Sequence, residues 1–268
     1  MGGSQLTINV RDSSDHAIVD IDSCYPISTT TCNLRSAWFA CNLLCKEEDD
    51  DDVSSGSSLS VWLIKLLYQS SISMNLIYGS LELNYDSAIA IDGNKAVIES
   101  HSEVSKSLFS YQNVSFNDEV ANSYDIHVIN RPYLMISNLS IDGFHSNDGG
   151  AIFIDGSCDL TMTHITFRNN TAANSGGAIY INHNQYSSSI MNNTFMSCSA
   201  SNDGGSIHID TMNNEVMISN NVFSKSVASY GGGISIYNKN KYILVRENIF
   251  NDCSADNDGG VVFVYERE

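Results

Sequence analysis

The sequence predicts an all-β protein, a right-handed parallel β-helix (a solenoid) with a short amphipathic helix that caps its N-terminal end. Three observations lead to this fold: a repeat of 27 or 28 residues, apolar residues that alternate with a period of two, and turn-rich linkers with only 2 prolines in the chain. One repeat extended at about 3.3 Å per residue would measure about 90 Å, so each repeat must turn back on itself. Stacking identical positions makes every repeat one coil, and parallel crossovers are overwhelmingly right-handed.

The repeat is marked by a pair of glycines followed by a small residue and an isoleucine or valine. It occurs five times, at spacings of 27, 28, 27 and 28 residues. The pairs are Gly149-Gly150, Gly176-Gly177, Gly204-Gly205, Gly231-Gly232 and Gly259-Gly260. A glycine pair at a fixed place in each coil indicates backbone that passes too close to the next coil for a Cβ, or a left-handed backbone conformation.

Other columns keep the same period and predict ladders inside the solenoid. A phenylalanine column fills the lumen, and an alanine follows each phenylalanine by five residues where the coil is narrow. The phenylalanines are Phe167, Phe195, Phe223 and Phe250, and Ile141 takes the slot one coil earlier. Asn193, Asn221 and Asn248 precede three of them by two residues, either as a buried ladder of amides or as solvated turn residues.

These repeats resemble those of the chlamydial polymorphic outer membrane proteins, in which Gly-Gly-Ala-Ile alternates with Phe-x-x-Asn. The resemblance is clearest from Phe167-Arg-Asn-Asn170 to Gly176-Gly-Ala-Ile179, and the motif covers roughly residues 134–268. Later copies have Cys198, Ser226 and Cys253 in place of the motif asparagine. The resemblance implies a right-handed β-helix of the pectin-lyase-like superfamily, and a secreted or cell-surface protein of which some relatives are adhesins.

The first half of the chain is predicted to differ from the regular coils. Residues 1–70 form a cap region, and residues 71–268 form the β-helix, with regular coils from about residue 134. Within the cap, residues 33–45 carry apolar side chains on one helical face and would plug the open end of the lumen. The six acids of residues 47–52 indicate a solvated loop, or more weakly a Ca²⁺ site, because they lack the spacing and glycine of a binding loop.

The seven cysteines fall into two groups. Cys198 and Cys253 share a column two coils, or about 10 Å, apart, which is too far for a disulfide and favours small buried apolar residues. Four cysteines lie in the cap and leave three alternatives: disulfides, free thiols or zinc, the last at a spacing that matches no familiar site. They are Cys24, Cys32, Cys41 and Cys45.

Composition excludes some classes of partner. With 13 Lys and Arg against 31 Asp and Glu, the formal net charge is −18, which argues against nucleic acid and against an anionic membrane surface. No apolar run reaches the roughly 18 residues of a transmembrane helix, and the first residues show no signal peptide. A secreted or cell-surface location therefore follows from the resemblance and not from a visible leader.

The sequence offers no convincing catalytic, cofactor or metal site. Asp148, Asp203 and Asp258 share a column, but each stands in Asn-Asp-Gly-Gly, where turn chemistry accounts for it. The histidines match no Ser/His/Asp pattern and no metal spacing. The outward positions of the glycine-adjacent strand form a partly aromatic stripe, either exposed rings that cover the sheet or a surface for sugar rings. They are Phe153, Tyr180, His208, Ser235 and Phe263.

Four asparagines lie in glycosylation sequons: Asn113, Asn138, Asn169 and Asn192. Asn192 is the favoured acceptor in a secreted eukaryotic protein, because it should point opposite to inward Asn193.

Together these features predict a non-enzymatic β-helix that is secreted or exposed on a surface, with an adhesin-like or structural role. Carbohydrate or another cell-surface protein is the expected partner. One alternative is a carbohydrate-active enzyme, a polysaccharide lyase or hydrolase; another is a fragment of a longer surface protein without independent activity. The sequence runs out after the first strand of its last coil, so a further coil or a partner is expected to cover that end.

Overall fold

The computed structural model describes residues 5–10, 61–66, 73–76, 81–82, 88–100, 106–112, 132–184 and 186–266. These residues form 25 β-strands and no helix. The strands, in chain order, are β1 (Gln5–Val10), β2 (Val61–Leu66), β3 (Ser73–Leu76), β4 (Leu81–Glu82), β5 (Ala88–Ser100), β6 (Phe109–Gln112), β7 (Tyr133–Asp142), β8 (His145–Ser146), β9 (Ile152–Asp155), β10 (Asp159–Thr163), β11 (Thr166–Arg168), β12 (Thr171–Ala172), β13 (Ile179–Asn182), β14 (Ser188–Met191), β15 (Thr194–Met196), β16 (Ser199–Ala200), β17 (Ile207–Ile209), β18 (Val216–Ser219), β19 (Val222–Ser224), β20 (Val227–Tyr230), β21 (Ile234–Ile236), β22 (Leu244–Arg246), β23 (Ile249–Asn251), β24 (Ser254–Asp258) and β25 (Val262–Val264).

The strands make three parallel sheets, of 13, 5 and 7 strands, that run the length of a β-solenoid. From β7 to β25 the chain makes five successive coils, each of which adds a strand or two to every sheet. The register is like on like: Phe167 pairs with Phe195, and Ile179 pairs with Ile207. The parallel β-solenoid predicted from the repeat is confirmed.

The longest sheet bends within each coil. β7 is a single strand whose first half pairs with β10 and whose second half pairs with β11. In the later coils, two separate strands take the place of one strand such as β7. A residue in the left-handed conformation stands at each split. These residues are Asn138, His164, Asn192, Asn220 and Glu247, with φ between 54° and 56°. Asparagine tolerates this conformation better than most residues, and it occupies three of the five corners.

The core is a set of vertical ladders inside the coils. Phe167, Phe195 and Phe223 are fully buried, and their rings stack at centroid distances of 4.8 and 4.7 Å. Phe250 continues the stack at 4.7 Å but is only partly buried. Each ring therefore packs face to face with its own kind, at the strand spacing of a parallel sheet.

A second, smaller core lies under the 5-stranded sheet. Ala172, Ala200 and Ala228 contact one another there and are 8% exposed or less. The small side chain of alanine fits a narrow corner of the coil, which is the place that its position five residues after each phenylalanine indicated.

Several predicted features lie outside the described residues. They are the capping helix of residues 33–45, the acidic run 47–52, the four cap cysteines and the Asn113 sequon. The boundary at residue 70 stays a prediction; β1 and β2 pair in parallel, and β2 also pairs with β5 in the long sheet.

Candidate functional site: the outer face of the seven-stranded sheet

The outer face of the 7-stranded sheet carries aromatic side chains, a histidine and several aspartates close together. Its strands alternate: Ile179 and Ile181 of β13 point into the core, and Tyr180 between them points outward. The outward residues of successive coils line up in register, because β9, β13, β17, β21 and β25 are parallel neighbours. We call this column the outer strip: Phe153, Tyr180, His208, Ser235 and Phe263.

The rings of the outer strip stack on one another. The ring centroids of Phe153 and Tyr180 are 5.4 Å apart and their planes are nearly parallel at 9°, and the centroids of Tyr180 and His208 are also 5.4 Å apart. Neighbouring rings therefore cover both faces of Tyr180. A sugar ring stacks on an aromatic face, so the faces of Tyr180 are not available to a sugar.

Two positions of the strip depart from the exposed stripe that alternation indicated. His208 is 2% exposed and Ser235 is fully buried, so the expectation of exposure is wrong for both. The His208 ring lies between Tyr180 and Tyr237, and the Tyr237 ring meets it edge-on at 4.9 Å. Tyr237 follows β21, one coil on, and its ring folds against the column instead of continuing it.

Carboxylates border the outer strip on both sides. Asp148 and Asp203 precede the glycine pairs at the start of the strands, and Asp155 and Asp210 stand at the strand ends. We call these four residues the acidic borders. Among the described residues, none of the four forms an ion pair with a lysine or an arginine. Two histidines lie beside them, His183 at 3.0 Å from Asp155 and His208 at 4.0 Å from Asp210.

Tyrosine hydroxyls tie two of these carboxylates to the strip. Tyr180 donates to Oδ2 of Asp210 at 2.5 Å, and Tyr237 donates to Oδ2 of Asp203 at 3.0 Å. Burial, followed by the bond to Asp210, raises the pKa of Tyr180. Burial and Asp203 raise the pKa of Tyr237 in the same way. Both hydroxyls thus stay protonated and act as donors.

Burial lowers the pKa of His208, and the nearby carboxylates of Asp210, Asp203 and Asp148 oppose that shift without overcoming it. The imidazole is therefore neutral near pH 7, with one nitrogen able to accept a hydrogen bond. It adds no positive charge to the acidic borders.

Three buried polar atoms in this region have no hydrogen-bond partner: Nδ1 of His208, Oδ1 of Asp203 and Oγ of Ser235. His208 and Ser235 are direct cross-strand partners. Tyr237 contacts His208 through its ring and donates to Asp203 through its hydroxyl. Since buried polar groups are normally paired, three orphans around two adjacent strands set this region apart.

The predicted asparagine ladder lies elsewhere, at a corner of the long sheet. Asn193 and Asn221 are buried, and Asn248 is half-buried in the last coil. Each Oδ1 accepts the backbone N–H of the coil before: Ile165 to Asn193, Asn193 to Asn221 and Asn221 to Asn248, all at 2.9 Å. Their role is structural, because they satisfy backbone donors at a corner where no strand does so.

Sequence reasoning missed a second ladder of this kind. Asn184, Asn213 and Asn240 repeat the pattern after the strands of the 7-stranded sheet, with backbone N–H to Oδ1 distances of 2.9 and 2.8 Å. The spacing of 29 residues from Asn184 to Asn213 differs from the 27 or 28 of the other columns, because the turn before Asn213 holds one more residue than the turn before Asn184. Asn170 also satisfies the backbone of the previous coil, from Phe144 at 3.0 Å.

The glycine pairs lie where the coils touch. A Cβ on Gly150, Gly177, Gly205 or Gly232 would fall 2.1–2.2 Å from a carbonyl oxygen of the next coil. The first glycine of each pair has a positive φ, from 57° to 68°. In the first four pairs both reasons for glycine therefore hold, one at each position; in the last pair no atom lies within 4 Å of the Cβ position of the second glycine.

The described cysteines are free, and the described sequons are exposed. Cys158 and Cys198 are buried, Cys253 is half-buried, and burial raises the pKa of the Cys198 thiol to about 12. Three sequon asparagines, Asn138, Asn169 and Asn192, sit at exposed left-handed corners. Asn138 donates to Asp92 and Asn169 to Asp142, at 3.1 and 3.0 Å.

The described residues contain no group of three or more histidines, cysteines or acids placed to hold a metal ion. They also contain no helix with the length and hydropathy needed to cross a membrane.

The fold and the repeat define the class of the molecule, a parallel β-solenoid built from glycine-pair coils. Residues 164–182 match the family described as Chlamydia polymorphic membrane protein (Chlamydia_PMP) repeat. The match spans β11 to β13 and includes Phe167, Asn170 and the pair Gly176-Gly177. The chain thus carries a repeat of the polymorphic-membrane-protein type on the fold that its resemblance implied. No curated protein and no solved structure matches the chain significantly.

Proposed function

We propose that this protein is a non-enzymatic β-solenoid that is secreted or displayed on a cell surface and serves as an adhesin-like or structural scaffold. The observation that supports this best is the repeat at residues 164–182, whose family is named for membrane proteins. The same repeat recurs along coils that stack identical side chains. Such stacking builds a rigid, extended body whose long outer faces are available to a partner.

Location is the first test of this proposal. Antibodies raised against the folded protein should label intact cells of the source organism, or detect the protein in the medium, and external protease should remove the cell-bound signal. A cytoplasmic enzyme of known location serves as the control and must stay unlabelled. Labelling that requires permeabilised cells, with no protein in the medium, would overturn the proposal.

A carbohydrate-active enzyme is the second candidate, and the outer strip is the observation that favours it. Asp203 and Asp210 flank a neutral His208, and two tyrosine hydroxyls donate to them. Glycoside hydrolases usually act through a pair of carboxylates on either side of the bond that they cleave. Incubation with a panel of acidic and neutral polysaccharides, followed by measurement of reducing ends, separates the two candidates. Release that disappears in D203N and D210N would establish the enzyme and refute the scaffold proposal.

A further inference from the structure

We propose that the outer strip and its acidic borders bind a basic peptide segment, whose lysine or arginine side chains enter between Asp203 and Asp210. This deepens the proposed function, since it assigns a class of partner to one face of the scaffold and rests on the chain acting as an interaction protein. Charge, unpaired acceptors and the spacing of the coils support this assignment.

Charge favours a cationic partner. The acidic borders place four carboxylates along one strip, and within the described part of the chain no lysine or arginine neutralises them. Asp203 is 7% exposed, and Asp155 and Asp210 have side chains 29% and 25% exposed. Partly buried charges lie in a lower effective dielectric than fully exposed ones, so they attract a cation more strongly.

The orphan atoms favour a ligand that donates hydrogen bonds. Asp203 Oδ1 can only accept, and neutral His208 can accept through the nitrogen that lacks its proton. The neighbouring tyrosine hydroxyls are already committed, because they donate to Asp210 and Asp203. An ammonium group brings three donors and a guanidinium five, and neither competes as an acceptor. A lysine or arginine side chain therefore supplies what these buried acceptors lack.

The coil spacing fits an extended chain laid along the strip. Asp148 and Asp203 stand two coils apart, as do Asp155 and Asp210, which is about 10 Å at the strand spacing of a parallel sheet. Three residues of an extended peptide cover about 10 Å. A segment with basic residues about three positions apart can thus reach both levels of the acidic borders.

The test is binding of a fluorescent hexalysine peptide to the full-length protein, followed by anisotropy. Binding should be clear at about 0.1 M salt and weaken strongly at about 1 M, where the Debye length falls from about 10 Å to about 3 Å. D203N/D210N should bind at least about tenfold more weakly, a clear loss of the charged contacts. A hexaglutamate peptide is the negative control.

A matched variant separates the strip from net charge. E215Q/E247Q removes the same number of negative charges from exposed positions outside the acidic borders, and should change the affinity less than about twofold. If D203N/D210N fails to fold, as judged by its melting transition, D148N/D155N removes the other two border charges and should weaken binding several-fold.

Three results would overturn the proposal: no hexalysine binding at low salt, equal weakening by the strip variants and E215Q/E247Q, or displacement of the peptide by a neutral oligosaccharide. The last would reassign the strip to sugars. None of these results bears on whether antibodies reach the protein on intact cells. The proposed location is therefore tested independently, by the labelling experiment.

Discussion

The backbone N–H of Asn193 donates to Oδ1 of Asn221, one coil on, at 2.9 Å. The amide of Asn221 also reaches back, since its Nδ2 donates to the carbonyl of Ile190 at 2.9 Å. One fully buried side chain thus satisfies a donor and an acceptor of the preceding coil. The ladder replaces strand pairing at a corner, where the backbone turns away from its neighbours.

Replacing Asn221 with alanine should therefore destabilise the fold by about 3 kcal/mol, because a buried N–H and a buried carbonyl each lose their partner. Equilibrium unfolding in urea measures the change. Asn251→Ala is the control: Asn251 is exposed in β23, and its loss should cost less than about 0.5 kcal/mol. Equal effects of the two variants would contradict the structural role of the ladder.

Phe223→Ala should cost about 3–5 kcal/mol, as expected for truncation of a large core side chain. Phe223 is fully buried, and rings stack on both of its faces at 4.7 Å. Phe250 is half-buried, and its recorded ring contact is on the Phe223 side, so Phe250→Ala should cost clearly less. Urea unfolding of both variants measures the difference, and a larger loss for Phe250 would contradict this gradient.

Gly205→Ala should be strongly destabilising, by about 3 kcal/mol or more, because overpacking against a backbone is hard to relieve. The new Cβ would lie 2.2 Å from the carbonyl oxygen of Gly232 and 2.7 Å from the nitrogen of Val227. Gly260 is the matched control at the same place in the repeat: no atom lies within 4 Å of its Cβ position. Gly260→Ala should leave the melting temperature almost unchanged, and a comparable drop in both variants would refute the close-contact explanation.

Acidification should destabilise the protein through His208. Burial holds the pKa of His208 below its ordinary 6.5, so the unfolded chain takes up this proton before the folded protein does. The contribution is fully present above about pH 6.5 and is lost as the pH falls towards the folded-state pKa, by up to about 1.4 kcal/mol per pH unit. The carboxylates of Asp210, Asp203 and Asp148 reduce the size of this effect.

Urea unfolding at pH 7.5 and at pH 5.5 measures that loss of stability. His208→Phe should flatten the dependence, because phenylalanine continues the stacked rings and has no proton to take up. His164→Gln is the control, since His164 is exposed, and it should leave the slope as in the wild type. An unchanged slope in His208→Phe would exclude His208 as its source.

Expression in a eukaryotic secretory pathway should attach a glycan to Asn192. This residue is exposed at a left-handed corner, with inward Asn193 beside it. Asn138 and Asn169 are exposed too, but their amides donate to neighbouring aspartates. Asn192→Gln should remove the mass that a glycosidase removes from the wild-type protein, and a secreted protein whose mass glycosidase leaves unshifted would contradict the prediction.

Sequence alone determined the architecture of this protein. A period of 27 or 28 residues that preserves Phe167, Gly177 and Ile179 in successive copies can be satisfied only by stacking like on like. Because each ladder repeats one residue type, the residue type of each column also indicates which positions face the lumen, which lie at the narrow corner and where the backbones approach closely. The ladder of Asn184 escaped this reading because one added residue in the next turn breaks the fixed count.

Tertiary structure decided the character of the outer strip. Alternation places His208 on the outward face, but it gives no information on whether another coil covers that face. The Tyr237 ring, one coil on, packs against the His208 imidazole, and its hydroxyl binds the carboxylate of Asp203. Burial of an imidazole and the pairing of a carboxylate depend on side chains 27 or more residues away along the chain. Period and pattern fix which residues share a column, whereas solvent access and charge environment arise only when the coils pack.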